Sequence, residues 1–108
     1  MNNDDVINTN QKQRASKNAT RLDGQARKRL KDKVVEQLQA GMLTQGAALK
    51  ILRIQVLSLS QDQFAKLVKV SRKTVSDIEN NNGNYSVDLL NQVFRPFRLQ
   101  IGLVEIKG

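Results

Sequence analysis

The sequence predicts an all-α domain of five helices that ends in a single β-strand. Apolar residues recur at spacings of three and four along most of the chain, and Ser, Thr, Gly and Pro stand where helices would begin and end. Near the C-terminus the apolar period changes to two, which predicts the strand. Because no second strand is predicted, we expect this strand to pair with its own copy across a homodimer.

Composition restricts the classes of function. The 108 residues suffice for one modest core, and the formal net charge of +8 favours a polyanionic partner. The absence of Cys and His excludes disulfides, thiolate or imidazole metal sites, and imidazole-assisted nucleophiles. No apolar run approaches the roughly 20 residues of a membrane span, and the first residues lack a signal-peptide pattern. We expect a cytoplasmic protein without metal or cofactor.

The carboxylates do not form a catalytic pattern. They are interpreted as surface positions, without a nucleophile, a glycine-rich phosphate loop or a metal-ligand set beside them. The residues in question are Asp62, Asp77, Glu79, Asp88 and Glu105. The sequence therefore predicts that the protein is not an enzyme.

The N-terminal part divides into a tail and a helical extension. Residues 1–24 are mostly polar and predict a disordered basic tail, because they cannot offset the entropy of becoming ordered. Residues 25–44 are the predicted helical extension; within it, Gln25 to Ala40 predict an amphipathic helix with apolar residues at steps of four from Leu30 to Leu38 and with Gly41 as its stop. Its apolar face needs either the protein's own core or a second protein, and we favour the core.

Residues 59–80 predict two short helices joined by a tight turn. Ser60 can cap the first helix while Gln63 reaches back to the Ser60 amide, which is a capping box. The stripe predicted to be buried in this helix consists of Phe64, Leu67 and Val68.

The second helix of this pair is predicted to begin after a Ser71 cap. Val75 and Ile78 are predicted to point inward. The polar and cationic residues left on or near the outer face are Arg72, Lys73, Thr74, Ser76 and Asp77.

These two helices resemble the helix-turn-helix of the Cro/C1 (XRE) family, with its Ser-Gln opening, here Ser60-Gln61, and its small residue, here Ala65. The resemblance implies a lambda-repressor-like helix-turn-helix domain, which we place at residues 45–96. Two features depart from the family. Lys69 replaces the usual turn glycine, which predicts a strained or shifted turn at a cost on the order of 1 kcal/mol. The link from Arg53 to Ser60 is one residue longer, which predicts a small loop change.

Two further helices complete the predicted domain. Thr44 is predicted to cap a helix over residues 45–56, which offers a broad apolar surface. After an Asn-rich loop, Ser86 is predicted to cap the last helix over residues 87–95, which Pro96 ends.

Residues 97–107 are predicted to be the dimerisation strand. Apolar residues alternate with Arg98, Gln100 and Gly102, beginning at Phe97. The residues expected at the dimer interface are Leu99, Ile101, Leu103 and Val104. The alternative is a disordered C-terminal tail, which four alternating apolar residues disfavour.

Together with the terminal strand, residues 45–107 resemble the HipB-like antitoxins. In that family a DNA-binding dimer closed by C-terminal strands represses its own operon and binds a HipA-like serine/threonine kinase toxin. The resemblance therefore implies double-stranded operator DNA and such a kinase as partners, in a bacterial cytoplasm.

Matching the motif residue by residue assigns candidate DNA contacts. The recognition helix is expected to contact bases through Arg72, Lys73 and Asp77, with Asp77 either accepting from cytosine N4 or moderating local charge. The residues expected to contact phosphates are Ser60, Gln61, Ser71, Thr74 and Ser76.

Three alternatives stay open. The protein could instead be a stand-alone phage-type repressor, or a protein-interaction module that neutralises a partner enzyme with DNA binding secondary. The basic run from Lys12 to Lys33 is either a solvated stretch or an arm that reaches phosphates or a minor groove.

Overall fold

The computed structural model describes residues 23–106, which form five α-helices. In chain order these are α1 Gly24–Gln39, α2 Gln45–Ile51, α3 Gln61–Val68, α4 Arg72–Glu79 and α5 Val87–Phe94. A π-helical segment, Leu52–Leu57, continues α2, and a 3-10 turn, Arg95–Phe97, follows α5. The described residues contain no β-strand. Of the predicted tail, residues 1–22 lie outside the described residues.

Each of the five α-helices begins at a side chain that accepts a hydrogen bond from a first-turn amide. The caps are Asp23, Thr44, Ser60, Ser71 and Ser86, of which only Asp23 was not predicted. The capping box at the start of α3 is present: the Gln63 amide donates to Ser60 Oγ at 3.1 Å, and the Ser60 amide donates to Gln63 Oε1 at 2.9 Å. These caps satisfy donors that the helices leave free, so they fix where each helix starts.

All five α-helices contribute to one hydrophobic core, which also contains all three phenylalanines of the chain. The largest fully buried side chains are Phe64, Leu49, Leu52, Val34, Val75 and Val93. Val34 belongs to α1, and Leu30 and Leu38 of the same helix pack against this core. The prediction that the apolar face of α1 packs on the protein's own core is therefore confirmed.

α2 approaches the C-terminal end of α4 at Gly46. A Cβ atom at this position would overlap the Ile78 carbonyl oxygen and would lie 2.6 Å from Asn81 Oδ1. Only glycine therefore permits this approach of the two helices.

Most of the link between Arg53 and Ser60 is helical. The π-helical segment contains one more residue per turn than an α-helix, and the Ser58 amide donates to the Arg53 carbonyl, five residues back. Ser58 then takes a left-handed conformation that ends the helix. The predicted loop change relative to the family stays a prediction; in this chain the link consists of the end of the π-helical segment and of Ser58 to Ser60.

Two predicted positions differ from the structure. Leu67 is 52% exposed, because α3 buries Phe64, Ala65 and Val68 and leaves Leu67 beyond the edge of that arc. Phe97 lies in the 3-10 turn and is buried, stacked on Phe64 with ring centroids 6.0 Å apart. The predicted strand therefore cannot begin at Phe97.

The segment that follows Phe97 lies partly against the core. Leu99 and Ile101 are half-buried, and the Ile101 amide donates to Asn91 Oδ1 at 2.7 Å. Leu103 and Val104 are exposed. Because a strand needs a neighbour, a single chain does not test the predicted pairing, and both the strand after Phe97 and the dimer stay predictions.

Candidate nucleic-acid interface

The turn between α3 and α4 is built around Lys69. Lys69 has φ 63° and ψ 46°, the left-handed conformation that glycine adopts most easily. Its amide and that of Val70 both donate to the Ala65 carbonyl, the latter at 3.0 Å. The prediction of a strained turn is therefore confirmed, and the turn stays where the motif places it.

Gln92 of α5 holds this turn from the other side. Its Nε2 lies 2.8 Å from the Val68 carbonyl oxygen and 3.4 Å from that of Lys69. The last carbonyls of a helix have no partner within the helix, so Gln92 satisfies one of them. α5 thereby contributes to the orientation of α3 and α4 relative to each other.

The outer face of α4 is cationic at its N-terminal end. Arg72 and Lys73 are exposed, while Val75 and Ile78 are buried on the opposite side of the helix. At the first turn of α4, the predicted recognition helix, two side chains with hydrogen-bond donors therefore face the solvent. The packed inner face of α4 holds the helix in place.

Lys73 and Asp77 form an ion pair one turn apart on α4. Lys73 Nζ lies 2.7 Å from Asp77 Oδ2. This hydrogen bond and the charge of Asp77 raise the pKa of Lys73 above its ordinary value of 10.5, so Lys73 is charged at neutral pH. Asp77 therefore neutralises the cation beside it in the free protein.

Arg72 lies close to an acidic residue of the preceding helix. Its Nε is 3.7 Å from Asp62 Oδ1, and both side chains are exposed. Such exposed pairs contribute roughly 0 to 1 kcal/mol and are screened by salt. Arg72 can therefore leave Asp62 for a DNA partner at little energetic cost.

The serine and threonine residues predicted to contact phosphate are mostly occupied by local bonds. Ser60 and Ser71 use their hydroxyls as helix caps. Thr74 Oγ1 lies 2.9 Å from Ser71 Oγ, and Ser76 Oγ accepts from Asn80 Nδ2 at 3.4 Å. The structure places Ser60, Ser71 and Thr74 at the first turns of α3 and α4, where free helix amides favour anions, and Ser76 one turn further along α4.

Gln61 is held at the start of α3 by a buried carboxylate. Its Nε2 donates to Glu79 Oε1 at 3.0 Å. A side-chain amide has two N–H donors, so one remains for the predicted phosphate contact. Glu79 thus fixes the rotamer of Gln61 and its position at the edge of the interface.

The ion pair between Arg53 and Glu79 was missed from the sequence. Arg53 Nε and Nη2 donate to Glu79 Oε2 and Oε1 at 2.7 and 2.9 Å, and both side chains are buried. The interpretation of Glu79 as a surface carboxylate was wrong. A signal exists in the helical periodicity, because Glu79 follows Val75 by four residues and Arg53 follows Leu49 by four, on the two buried faces.

Neither a metal centre nor a membrane span is found in the described part of the chain. No three residues of the types that bind metals lie together there, and none of the helices is long and apolar enough to cross a membrane.

Comparison with known families assigns this fold. The helix-turn-helix family model matches residues 49–102, half of the chain, from within α2 to the segment after α5. The chain therefore belongs to the XRE-type helix-turn-helix family and is a sequence-specific DNA-binding regulator. Searches of curated proteins and of solved structures found no match.

Proposed function

We propose that this protein is a transcriptional repressor that binds a palindromic operator as a homodimer and serves as the HipB-like antitoxin of a type II toxin-antitoxin operon. In this role it acts in the bacterial cytoplasm, represses its own operon and binds a HipA-like serine/threonine kinase toxin. One observation carries the DNA-binding part: Arg72 and Lys73 are exposed at the first turn of α4, in a chain of a DNA-reading family.

Base reading is assigned to α4. Arg72 and Lys73 each have donors suited to guanine O6 and N7 in the major groove. Asp77 has an acceptor suited to cytosine N4, and its bond to Lys73 also limits the attraction of this face to arbitrary DNA. Sequence specificity therefore resides in these three side chains.

Phosphate binding is assigned to the first turns of α3 and α4. The remaining N–H of Gln61 can donate a hydrogen bond to a phosphate. The free backbone amides that follow Ser60 and Ser71 can do the same, since a helix N-terminus attracts anions. Thr74 and Ser76 add hydroxyls at the same edge. Contacts of this type fix the register of the protein on DNA but do not read its sequence.

The dimer is assigned to the segment after Phe97. Leu103, Val104 and Ile106 are exposed, and no hydrogen bond joins residues 102–106 to the rest of the described chain. A second copy related by a two-fold axis would supply partners for this backbone and cover these apolar side chains. Two recognition helices about 34 Å apart would then enter successive major grooves.

The antitoxin role rests on the resemblance of residues 45–107 to the HipB-like proteins. That family combines a DNA-binding dimer with a kinase partner, and this chain has the same order of helix-turn-helix, last helix and apolar C-terminal segment.

Operator binding is tested by selecting duplexes from a random library and measuring mobility shifts with base-substituted variants of the selected site. We expect Arg72→Ala to relax specificity at one base pair, at a cost of about 1 to 3 kcal/mol on the selected site. Lys66→Ala, which removes an exposed cation of α3, is the control and should retain the selected sequence. An equal loss on every duplex would exclude Arg72 as a base reader.

The dimer and the kinase are tested separately. Deletion of residues 102–108 should convert the protein to a monomer in sedimentation and abolish cooperative operator binding. Gentle purification from the native host after nuclease treatment should recover a kinase in near-stoichiometric yield. Recovery of the homodimer alone would favour a stand-alone repressor. Partner binding without operator binding would favour an interaction module.

A further inference from the structure

A second cluster of positive charge lies outside the helix-turn-helix, within the first ten of the 16 residues of α1. We call Lys28, Arg29, Lys31 and Lys33 the α1 basic face. Lys28, Arg29 and Lys33 are exposed, and Lys31 is half-buried. Lys28 pairs with Asp32 at 2.8 Å, whereas no carboxylate of the described residues pairs with Arg29 or Lys33.

The path of the chain brings this face towards the helix-turn-helix. Residues 40–44 turn the chain back, with Gly41 in a left-handed conformation at φ 76°, and α1 packs against both α2 and the π-helical segment. Because α1 contacts both segments after a turn of five residues, it runs back along them, and its earlier turns lie towards Leu52–Leu57. That segment leads through three residues into Gln61, the first residue of α3. The path of the chain therefore puts the first turns of α1 at the end of this helix pair where α3 begins.

The helix dipole does not account for the placement of these cations. A helix favours anions in its first turn and cations in its last turn. In α1 the first turn has no acidic residue and the last turn has no basic residue. The four cations lie between these two turns, where the helix dipole has little effect on them. This distribution favours a role in binding an external anion.

We infer that the α1 basic face binds the phosphodiester backbone of DNA that flanks each operator half-site, an inference that rests on the proposed DNA-binding function. Arg29 and Lys33 are one helical turn apart, about 6 Å along the axis, so that each can contact its own phosphate on one strand. These contacts carry no sequence information. They increase the affinity of binding and its dependence on salt, and they lengthen the stretch of duplex that the protein covers.

The test uses the full chain and the selected operator in two duplexes, one trimmed to the site and one with about ten flanking base pairs, a helical turn, on each side. Arg29→Gln with Lys33→Gln is compared with Lys50→Gln with Lys66→Gln, which removes two exposed cations elsewhere. On the long duplex, we expect the first variant to reduce the salt slope of binding by about two per protomer, since each phosphate contact contributes about 0.9. Hydroxyl-radical protection of the flanks should also disappear in this variant, while protection of the central site remains.

The control variant should keep both the flanking protection and the salt slope of the wild type, and circular dichroism should show unchanged folding of both variants. Equal losses in the two variants would indicate a bulk charge effect and overturn the inference. The Arg29 and Lys33 variant could instead bind the operator with unchanged protection of the flanks and an unchanged salt slope. That result would overturn the inference and leave the proposed function standing. If the wild type selects no operator, both fail together.

Discussion

Arg53 and Glu79 form a buried ion pair that joins the π-helical segment to the last residue of the recognition helix. Arg53 also donates from Nη1 to the Leu59 carbonyl at 2.8 Å, and Glu79 also accepts from Gln61. The described residues have no buried side-chain polar atom without a partner. The pair therefore connects the end of α4, the start of α3 and the loop between the π-helical segment and α3 in one satisfied network.

Replacing one partner of this pair should be strongly destabilising. Arg53→Met leaves Glu79 buried without its guanidinium, and we expect the free energy of unfolding to fall by about 3 to 5 kcal/mol. Urea denaturation followed by circular dichroism measures this change. The double variant Arg53→Met with Glu79→Leu is the control and should recover most of the loss, because apolar residues of similar volume can replace a buried pair. A single variant that costs under about 1 kcal/mol would contradict the network as described.

Lys69→Gly should stabilise the protein. The left-handed conformation of Lys69 costs about 1 to 2 kcal/mol, and glycine removes this cost while adding a smaller entropic one, so we expect a net gain of up to about 1 kcal/mol. The melting temperature and the urea midpoint measure it. Lys66→Gly, inside α3, is the matched control and should destabilise by about 1 kcal/mol. Equal destabilisation by both changes would show that the turn is not strained in solution.

Gly46→Ala should destabilise the packing of α2 on α4. The added methyl group would meet the Ile78 carbonyl oxygen, which is backbone and cannot move alone, so we expect a loss of about 1 to 3 kcal/mol. The control is Gly24→Ala, because nothing lies within 4 Å of the Cβ added there. That change should be neutral or slightly stabilising in the same thermal unfolding experiment. The prediction fails if the two alanine variants unfold at the same temperature.

Asp77→Asn should increase binding to DNA of arbitrary sequence and lower specificity. Without its carboxylate, Lys73 is free to contact a phosphate, so the salt slope on non-operator DNA should steepen by about 0.9. Fluorescence anisotropy at several salt concentrations measures the slope. Asp88→Asn removes an exposed acid of α5 and is the matched control. The assigned role of Asp77 requires a larger effect than this control shows.

The charge of Lys73 also predicts how binding depends on pH. Its pKa is raised by the hydrogen bond and charge of Asp77, so the ion pair is fully present below the ordinary lysine pKa of 10.5 and is lost as the pH rises through the raised value. Titration of Lys73 should therefore leave operator affinity unchanged between about pH 6 and 9. A drop in affinity within that range that disappears in Lys73→Met would contradict this assignment.

Local signals in the sequence predicted much of the fold. The bounds of α3 follow from the capping box at Ser60 and the break at Lys69, which are set by residues within one turn of the helix end. The same holds for the caps at Thr44, Ser71 and Ser86. Capping depends on neighbours three residues away, so the sequence contains the information directly.

The missed features depend on contacts between distant parts of the chain. Arg53 and Glu79 are 26 residues apart, and neither alone indicates a partner. The burial of Phe97 requires the ring of Phe64 beneath it, which an alternating pattern does not show. Leu67 is exposed because α3 turns Ala65 towards the protein interior. The apolar spacing fits burial of Leu67 as well as burial of Ala65, so the sequence alone could not distinguish these two orientations of the helix. The ion pair between Arg72 and Asp62 was missed for the same reason, because the packing of α3 against α4 brings these two residues together.

From the π-helical segment we expect the protein to tolerate a one-residue deletion at this place in the chain. A one-residue deletion within an ordinary α-helix rotates the residues on one side of it by about 100° relative to the residues on the other side, and so destroys packing. Within Leu52–Leu57 the same deletion, for instance of Gln55, would convert a wide turn into a regular one while leaving Arg53 on its buried face. The segment thus marks a place where relatives with a shorter link could keep the same arrangement of helices.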